Sequence, residues 1–452
     1  MGQSDVSGRM SEFESLMWTL DGDERLSSTV ANLTMLDCAP DWDRLTARLR
    51  RASVVVERLH QRVVASPGGM APPRWENDPD FDLNRHLRRE RLGKHNGKRA
   101  LLDRIMEIFA TPFDRDRPLW EFVVIEGLPH GRAAMLQRIH HSLTDGEGGL
   151  RISAEFIDIE RDAPSPPEVA PSPPAAPVNS LVDAAKFGWG RVTESARSAL
   201  SIITHPGDLV SDGSELIGLT RSTLRQARLS DHRLSPLWTE RSLDRRLDLL
   251  DVPLAAMKAA AAELGGTVND VFVTGAASAA GDYHRRMGHP TDALRMSMPI
   301  STRVRGQHDG NHFSPSQTVV PTGDVDERDR FVAIHQLLRT TRDERAVGSV
   351  DAVARAANLV PAALLRTVGA RLAGSVDFVT SNLRAAPFDV YLAGALMESN
   401  HPIGPVAGTA FNLTTMSYRG TLWLGLVTDP AAIADPELLV SCLKQAYRTL
   451  LS

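Results

Sequence analysis

The stretch WEFVVIEGLPHGRAAMLQRIHHSLTDGEGGL, Trp120 to Leu150, carries two apolar runs, a turn, and two adjacent histidines ahead of Asp145 and Gly146. Gly127, Pro129 and Gly131 supply turn chemistry between the runs. The pattern predicts two strands of a β-meander, the second handing His140 and His141 to its end. Upstream, Ser11 and Glu14 have capping-box spacing, and Phe13, Leu16, Met17 and Leu20 share one face, which reads as a short opening helix. Ser28 to Cys38 reads as a strand. An amphipathic helix is expected over 41–64, with Asp41 or Asp43 near its start.

Downstream, seven of the sixteen residues from Ala163 to Val178 are proline. Such a segment favours extended polyproline II and serves as a spacer. Helical patterns follow it, with Lys186, Phe187, Trp189 and Arg191 mixing basic and aromatic character. They suit either a membrane-surface helix or, as the preferred reading, a helix packed on its own protein. From about Leu243 a second α/β half begins. A strand near Ser242 to Val252 leads to a helix opened by Pro253 and closed by Gly265, and a second helix spans Thr267 to Met287. Strand-like runs follow at LRMSMPI, SQTVVPT, VDFVTSN, TAFNLTTMSY and LWLGLVT, with long helices over 327–346 and 351–372. Strands and helices alternate in both halves, so the fold class is α/β with mixed sheets. The expected division is an N-terminal domain over 1–162, a linker and helical crossover over 163–240, and a C-terminal domain over 241–452.

At 452 residues, two hydrophobic cores are the natural expectation. A formal net charge of −5 gives no support for nucleic-acid binding, which normally needs a basic face. Cys38 and Cys442 stand near opposite ends and cannot form a disulfide framework or a cysteine zinc site, so a reducing compartment fits. No apolar run is long enough to span a membrane, and the N-terminus lacks the pattern of a secretory signal. It matches the loose Gly2 pattern for myristoylation, which carries little weight here. A cytoplasmic protein is expected, with any membrane or lipid-droplet contact peripheral.

Neutral histidine readily takes a proton at pH 7 and returns it. Adjacent strand residues point to opposite faces, so His140 and His141 cannot do the same job. One is expected to face a cleft while the other packs inward. Asp145, past the turn, can bond backbone or an arginine and fix the loop, and Gly146 permits a backbone angle that other residues resist. Three bland readings stand beside this one, the first being that two of the chain's fourteen histidines adjoin by chance. The histidines could be satisfied core residues, or ligands to a metal together with Asp145, for which no clear third partner stands nearby. No nucleophile elbow, Walker loop or convincing dinucleotide fingerprint occurs. The remaining chemistry is general-base activation of a hydroxyl or amine that attacks a bound acyl donor.

At HHSLTDG the sequence resembles the CoA-dependent acyltransferase superfamily, which includes chloramphenicol acetyltransferase and peptide-synthetase condensation domains. Further segments are similar to the bacterial wax ester synthase/diacylglycerol acyltransferase family: RPLWEF with Pro118, Leu119 and Trp120, TVNDVF with Asn269 and Asp270, MPISTR with Ser301 and Arg303, and TSNLRAAP with Ser381 and Asn382. The resemblance spans nearly the whole chain, in the family's order. It implies two chloramphenicol-acetyltransferase-like domains with a site in a tunnel between them. Acyl-CoA would be a co-substrate, the acceptor a lipid alcohol, and no cofactor or metal would be needed. His141 is implied as general base, with His140 in support, Asp145 as a loop-holding residue and Gly146 as the turn. Pro118 to Trp120 suits a packing corner, and Asn269 with Asp270 suits a helix cap near the tunnel. Arg303 would bond a carboxylate across the domain interface, and Ser301 could donate to a developing oxyanion.

Two segments depart from the family's habit. Glu147 precedes Gly148 and Gly149 where the family has a small polar residue before glycine or alanine, and Leu383 to Pro387 replaces a glycine-proline run. A divergent acceptor, more polar or an amine, and a weakly active lipid-binding protein are the alternatives these departures leave open.

Overall fold

The computed structural model describes residues 8–66, 71–93, 96–144, 146–164, 166, 167, 169, 233–301, 313–345, 354, 357, 358 and 361–452. Lys186, Phe187, Trp189 and Arg191 lie outside them. Two six-stranded sheets carry the fold. The first runs in the order Tyr391–Leu392, Ala395–Ile403, Thr29–Leu36, Ala133–His140, Trp120–Glu126 and Leu87–Arg91. Every neighbour in it is antiparallel except the last pair. The second runs Arg246–Pro253, Thr421–Thr428, Phe411–Tyr418, Phe378–Arg384, Ala293–Ser301 and Phe313–Pro321. Phe378–Arg384 lies parallel to both its neighbours, and the other pairs are antiparallel. Both sheets are therefore mixed, and the α/β class holds.

Local signals explain most element ends. Ser11 Oγ accepts the Glu14 N–H at 3.1 Å and Glu14 returns the bond to the Ser11 N–H at 2.9 Å, so the helix Glu12–Leu20 opens on a full capping box. Pro253 stands at the N-cap of the helix Leu254–Glu263, and Gly265 beyond it takes a positive φ of 77°. The helix Val268–Arg286 is buried on nearly all sides, because its small residues admit neighbours directly. A Cβ at Gly275 would lie 2.3 Å from the Tyr447 ring, and one at Gly281 would lie 2.1 Å from the Thr322 carbonyl.

Three expectations change. The helix beginning at Trp42 stops at Val55, and Gln61–Val64 is instead a strand paired with Arg74–Asn77. The run Val54 to Val56 is β-branched, which disfavours helix, and Val56 is already extended. Of the expected 351–372 helix, Ala354 and Ala357 are helical, but Asn358 is a turn, and a separate helix, Ala362–Gly374, starts behind Pro361, a residue with no N–H to continue a preceding turn. Third, Ala395–Ile403 is a strand, and with Tyr391–Leu392 it joins the first sheet although it lies far into the second half. Its Glu398, Asn400, His401 and Pro402 hid it from a reading based on apolar runs.

That strand welds the two sheets. One edge pairs with Thr29–Leu36, from Ala31 opposite Ile403 to Leu36 opposite Met397. Its own residues also meet the second sheet: the His401 Nδ1 lies 3.3 Å from the Leu424 carbonyl, and Tyr418 donates its hydroxyl to the Met397 carbonyl at 2.8 Å. The Pro402 carbonyl sits 2.0 Å from where a Cβ at Gly425 would be. Alanine at 425 should therefore force the sheets apart at a cost of about 3 kcal/mol, because a packed backbone cannot yield as a side chain does. Thermal unfolding would register this as a clearly lower Tm, while Gly93→Ala, where nothing lies within 4 Å of the added Cβ, should leave Tm unchanged.

The fold should also sense acid, at the junction through His401 and within the second half through His284. Burial pulls the His401 imidazole down to about 4, and burial does the same to His284. In the unfolded chain each takes its proton near pH 6.5, but in the folded chain only near 4. Stability is thus fully present above about pH 6.5 and is lost as pH falls toward 4, by about 3 kcal/mol for each group. Tm measured across this range should fall, and His401→Gln should remove roughly half of the slope attributable to the pair.

Candidate active site

All eight residues of the strand Ala133–His140 are buried. It lies between Thr29–Leu36 and Trp120–Glu126, and its two last backbone donors go to different neighbours. The His140 N–H bonds the Leu119 carbonyl and the His141 N–H bonds the Ser28 carbonyl, each at 2.9 Å. The Leu143 N–H then returns to the His140 carbonyl at 2.9 Å and closes a turn around His141. His140 is buried, at 1% exposure, and His141 is half-buried.

The His140 ring is engaged on both sides. Its Nδ1 accepts the Ser142 N–H at 3.1 Å and lies 2.6 Å from the Ser142 hydroxyl. Its Nε2 faces Asp21 Oδ1 at 3.4 Å, an electrostatic contact rather than a well-aligned hydrogen bond. The same Asp21 oxygen accepts the Ser28 N–H at 2.9 Å. Burial pushes the Asp21 carboxyl up, but His140, the Ser28 N–H and the Arg115 charge together outweigh it and leave it below the usual carboxylate value. Asp21 and His140 line a cavity of about 340 Å³. Trp18, Phe109, Arg115 and Leu119 contribute from the first half of the chain, and Leu243, Pro405 and Val406 from the second.

Asp145 lies outside the described residues. Gly146 does not open a free glycine turn but begins the helix Gly146–Ala154, so Glu147, Gly148 and Gly149 occupy its first turn. Pro118 to Trp120 is the packing corner expected of it. Leu119 is fully buried, and Trp120 is buried, donates its indole N–H to the Leu59 carbonyl at 2.7 Å and stacks on His86 with centroids 4.8 Å apart. Through its carbonyl, Leu119 also anchors His140.

In the second half, Asp270 acts as a cap. Its Oδ2 accepts the Thr267 N–H at 2.8 Å and the Thr267 hydroxyl at 2.9 Å, and His335 Nδ1 lies 2.9 Å away. Beside it, Asn269 Oδ1 accepts the Asn382 amide N–H at 3.3 Å, so two motifs far apart in the sequence meet side chain to side chain. Ser381 stands opposite Thr414 in the adjoining strand. Ser301 ends the strand Ala293–Ser301 with its side chain outside the described set, and Arg303 lies outside it altogether.

Comparison with known proteins adds the family. The catalytic-domain model of the wax ester synthase/diacylglycerol acyltransferases matches residues 10–272, and the model of their C-terminal domain matches 309–451. The chain belongs to this family. A Mycobacterium tuberculosis protein named as a "putative diacylglycerol O-acyltransferase" is 34% identical over 474 residues, covering 100% of this chain and 94% of its own length. Among solved structures, the wax ester synthase/diacylglycerol acyltransferase from Marinobacter aquaeolei VT8 is similar with a TM-score of 0.65 at 22% identity, over 98% of each chain. The first condensation domain of the calcium-dependent antibiotic synthetase is similar with a TM-score of 0.63 at 15% identity, over 99% of this chain and 96% of its own. These two show the shared fold. Among the described residues, no helix is long and apolar enough to cross a membrane.

In this acyltransferase family member, the sequence reading missed Asp21. Its only local mark is a place at the C-cap of the opening helix, where its N–H bonds the Met17 carbonyl at 3.0 Å. For Asp270, whose carboxylate is buried among three donors, removal should be costly. Asp270→Ala should lower stability by about 2 kcal/mol, combining a lost cap with unsatisfied donors. Urea unfolding of the variant, with its midpoint set against the parent protein, measures this.

Proposed function

We propose that the protein transfers a long-chain acyl group from acyl-CoA to diacylglycerol or a long-chain alcohol, with His141 as general base. The observation that carries this reading is the contrast between the two histidines. His140 is 1% exposed, whereas His141 is half-buried at the end of a buried strand, its backbone N–H fixed on Ser28. A base needs a ring that substrate can reach on a backbone that does not move. Family membership supports the acyl chemistry, and a similar structure, the starter condensation domain of rhizomide synthetase, was solved in complex with C8-CoA. The cavity beside His140 draws its walls from both halves, which fits a site between them.

In the proposed step the His141 imidazole takes the acceptor's hydroxyl proton as the oxygen bonds to the thioester carbonyl carbon. The carbon–sulfur bond then breaks, and the departing sulfur takes that proton back. The products are an ester and free CoA thiol, with no acyl-enzyme. Asn269, with its carbonyl oxygen held by Asn382, is proposed to line the acceptor side, Ser301 to donate to the developing oxyanion, Asp145 to hold its loop, and Arg303 to bond a carboxylate across the domain interface.

His141→Ala should lower kcat by about a hundredfold to ten-thousandfold while Tm changes little. CoA release measured with diacylglycerol, hexadecanol and short alcohols checks both parts of the reading. Turnover like the parent's in the variant would remove the mechanism. Preference for a short, polar acceptor would remove the lipid assignment.

A further inference from the structure

We infer that Asp21 is a positioning residue for the acyl transfer proposed above: through His140 it fixes the turn that presents His141. The inference rests on that proposal for what His141 does, and on geometry for the rest. With the Ser142 N–H donating to His140 Nδ1 at 3.1 Å, the neutral ring that fits carries its proton on Nε2, and the Ser142 hydroxyl, 2.6 Å from the same nitrogen, donates to it as well. Nε2 faces the Asp21 carboxylate at 3.4 Å. A negative charge there favours the tautomer with its N–H on that side, and that tautomer leaves Nδ1 as an acceptor for Ser142.

The consequence reaches the neighbouring histidine. Ser142 held on His140 Nδ1 and the Leu143 N–H held on the His140 carbonyl together form the turn that carries His141 between them. Asp21 also accepts the Ser28 N–H, and Ser28 in turn accepts the His141 N–H through its carbonyl. One carboxylate oxygen therefore braces the turn twice, by way of the His140 ring and by way of the Ser28 peptide. With the other tautomer, Nδ1–H would donate to the Ser142 hydroxyl and the Ser142 N–H would lose this acceptor, which loosens the turn. The side chain is well placed for this: it is mostly shielded, with 19% of it exposed, and its charged form is favoured by its surroundings.

Asp21→Asn separates the charge from the shape, since its amide oxygen still accepts the Ser28 N–H. In the full-length protein, kcat for CoA release should fall about tenfold, while KM for acyl-CoA stays within about twofold, as expected for loss of one charge-assisted contact acting on the base. In protein labelled with ¹⁵N-histidine, the His140 signal, assigned by its disappearance in His140→Gln, should read as a bare Nδ1 in the parent and as mixed tautomers in Asp21→Asn. A positioning role also predicts that adding Asp21→Asn to His140→Gln costs nothing further in kcat. Parent-like kcat in Asp21→Asn, an unchanged tautomer, or a loss that adds fully to that of His140→Gln would each overturn the inference. If His141→Ala is inactive and Asp21→Asn is parent-like, only this inference fails. If His141→Ala turns over normally, the proposed function fails first.

Discussion

At Gly425 the second sheet has no room for a side chain, because the Pro402 carbonyl of the first sheet occupies the place a Cβ would take. Much else follows from that close approach. It fixes the strand Ala395–Ile403 against the Phe411–Tyr418 and Thr421–Thr428 hairpin, while the strand's edge pairs with Thr29–Leu36. Thr29–Leu36 in turn pairs in full register with Ala133–His140. The position of the histidines is thereby referred, strand by strand, to the core of the other half. A packed interior transmits such a constraint because its elements have discrete arrangements rather than a continuum.

The histidine strand is also held from beneath by charge. Arg138 is 3% exposed, donates to the carbonyls of Ile108 and Thr111, and lies 3.1 Å from Glu121 on the neighbouring strand. Burial depresses its pKa while Glu121 counters that, so the guanidinium is tolerated only as part of a paired network. Asp377 plays a comparable part in the second half, fully buried and accepting the backbone N–H groups of Ser235 and Arg295. Burial raises the Asp377 carboxyl even so, those backbone bonds opposing it. Such groups specify one arrangement of the chain, since any other would leave a buried charge unpaired.

Much of the fold was legible locally. The two strands around Gly127 to Gly131, the capping box at Ser11, and the helix from Pro253 to Gly265 each depend on neighbours a few residues away, and each appears where those neighbours put it. The cap reading of Asp270 was legible for the same reason, since Thr267 lies three residues before it. The Ala395–Ile403 strand was not, because its polar residues are satisfied by partners distant in sequence: Asn400 by Asn32 and Thr34, His401 by Leu424. Gly146, expected as the turn, instead begins a helix, and Glu147, Gly148 and Gly149, where the sequence leaves the family's habit, lie in that helix's first turn.

The sequence by itself determined the local elements, the order of the family's motifs, and the presence of a histidine pair at a strand end. Those are properties of short stretches, set by side-chain periodicity, caps and turns that act over a handful of residues. Only the tertiary structure decided which sheet the Ala395–Ile403 strand joins, that Asn269 meets Asn382, and that Asp21 faces the ring of His140. Each of these is a contact between residues far apart along the chain. Its energy depends on register and burial, which exist only once the second sheet has packed against the Ala395–Ile403 strand of the first.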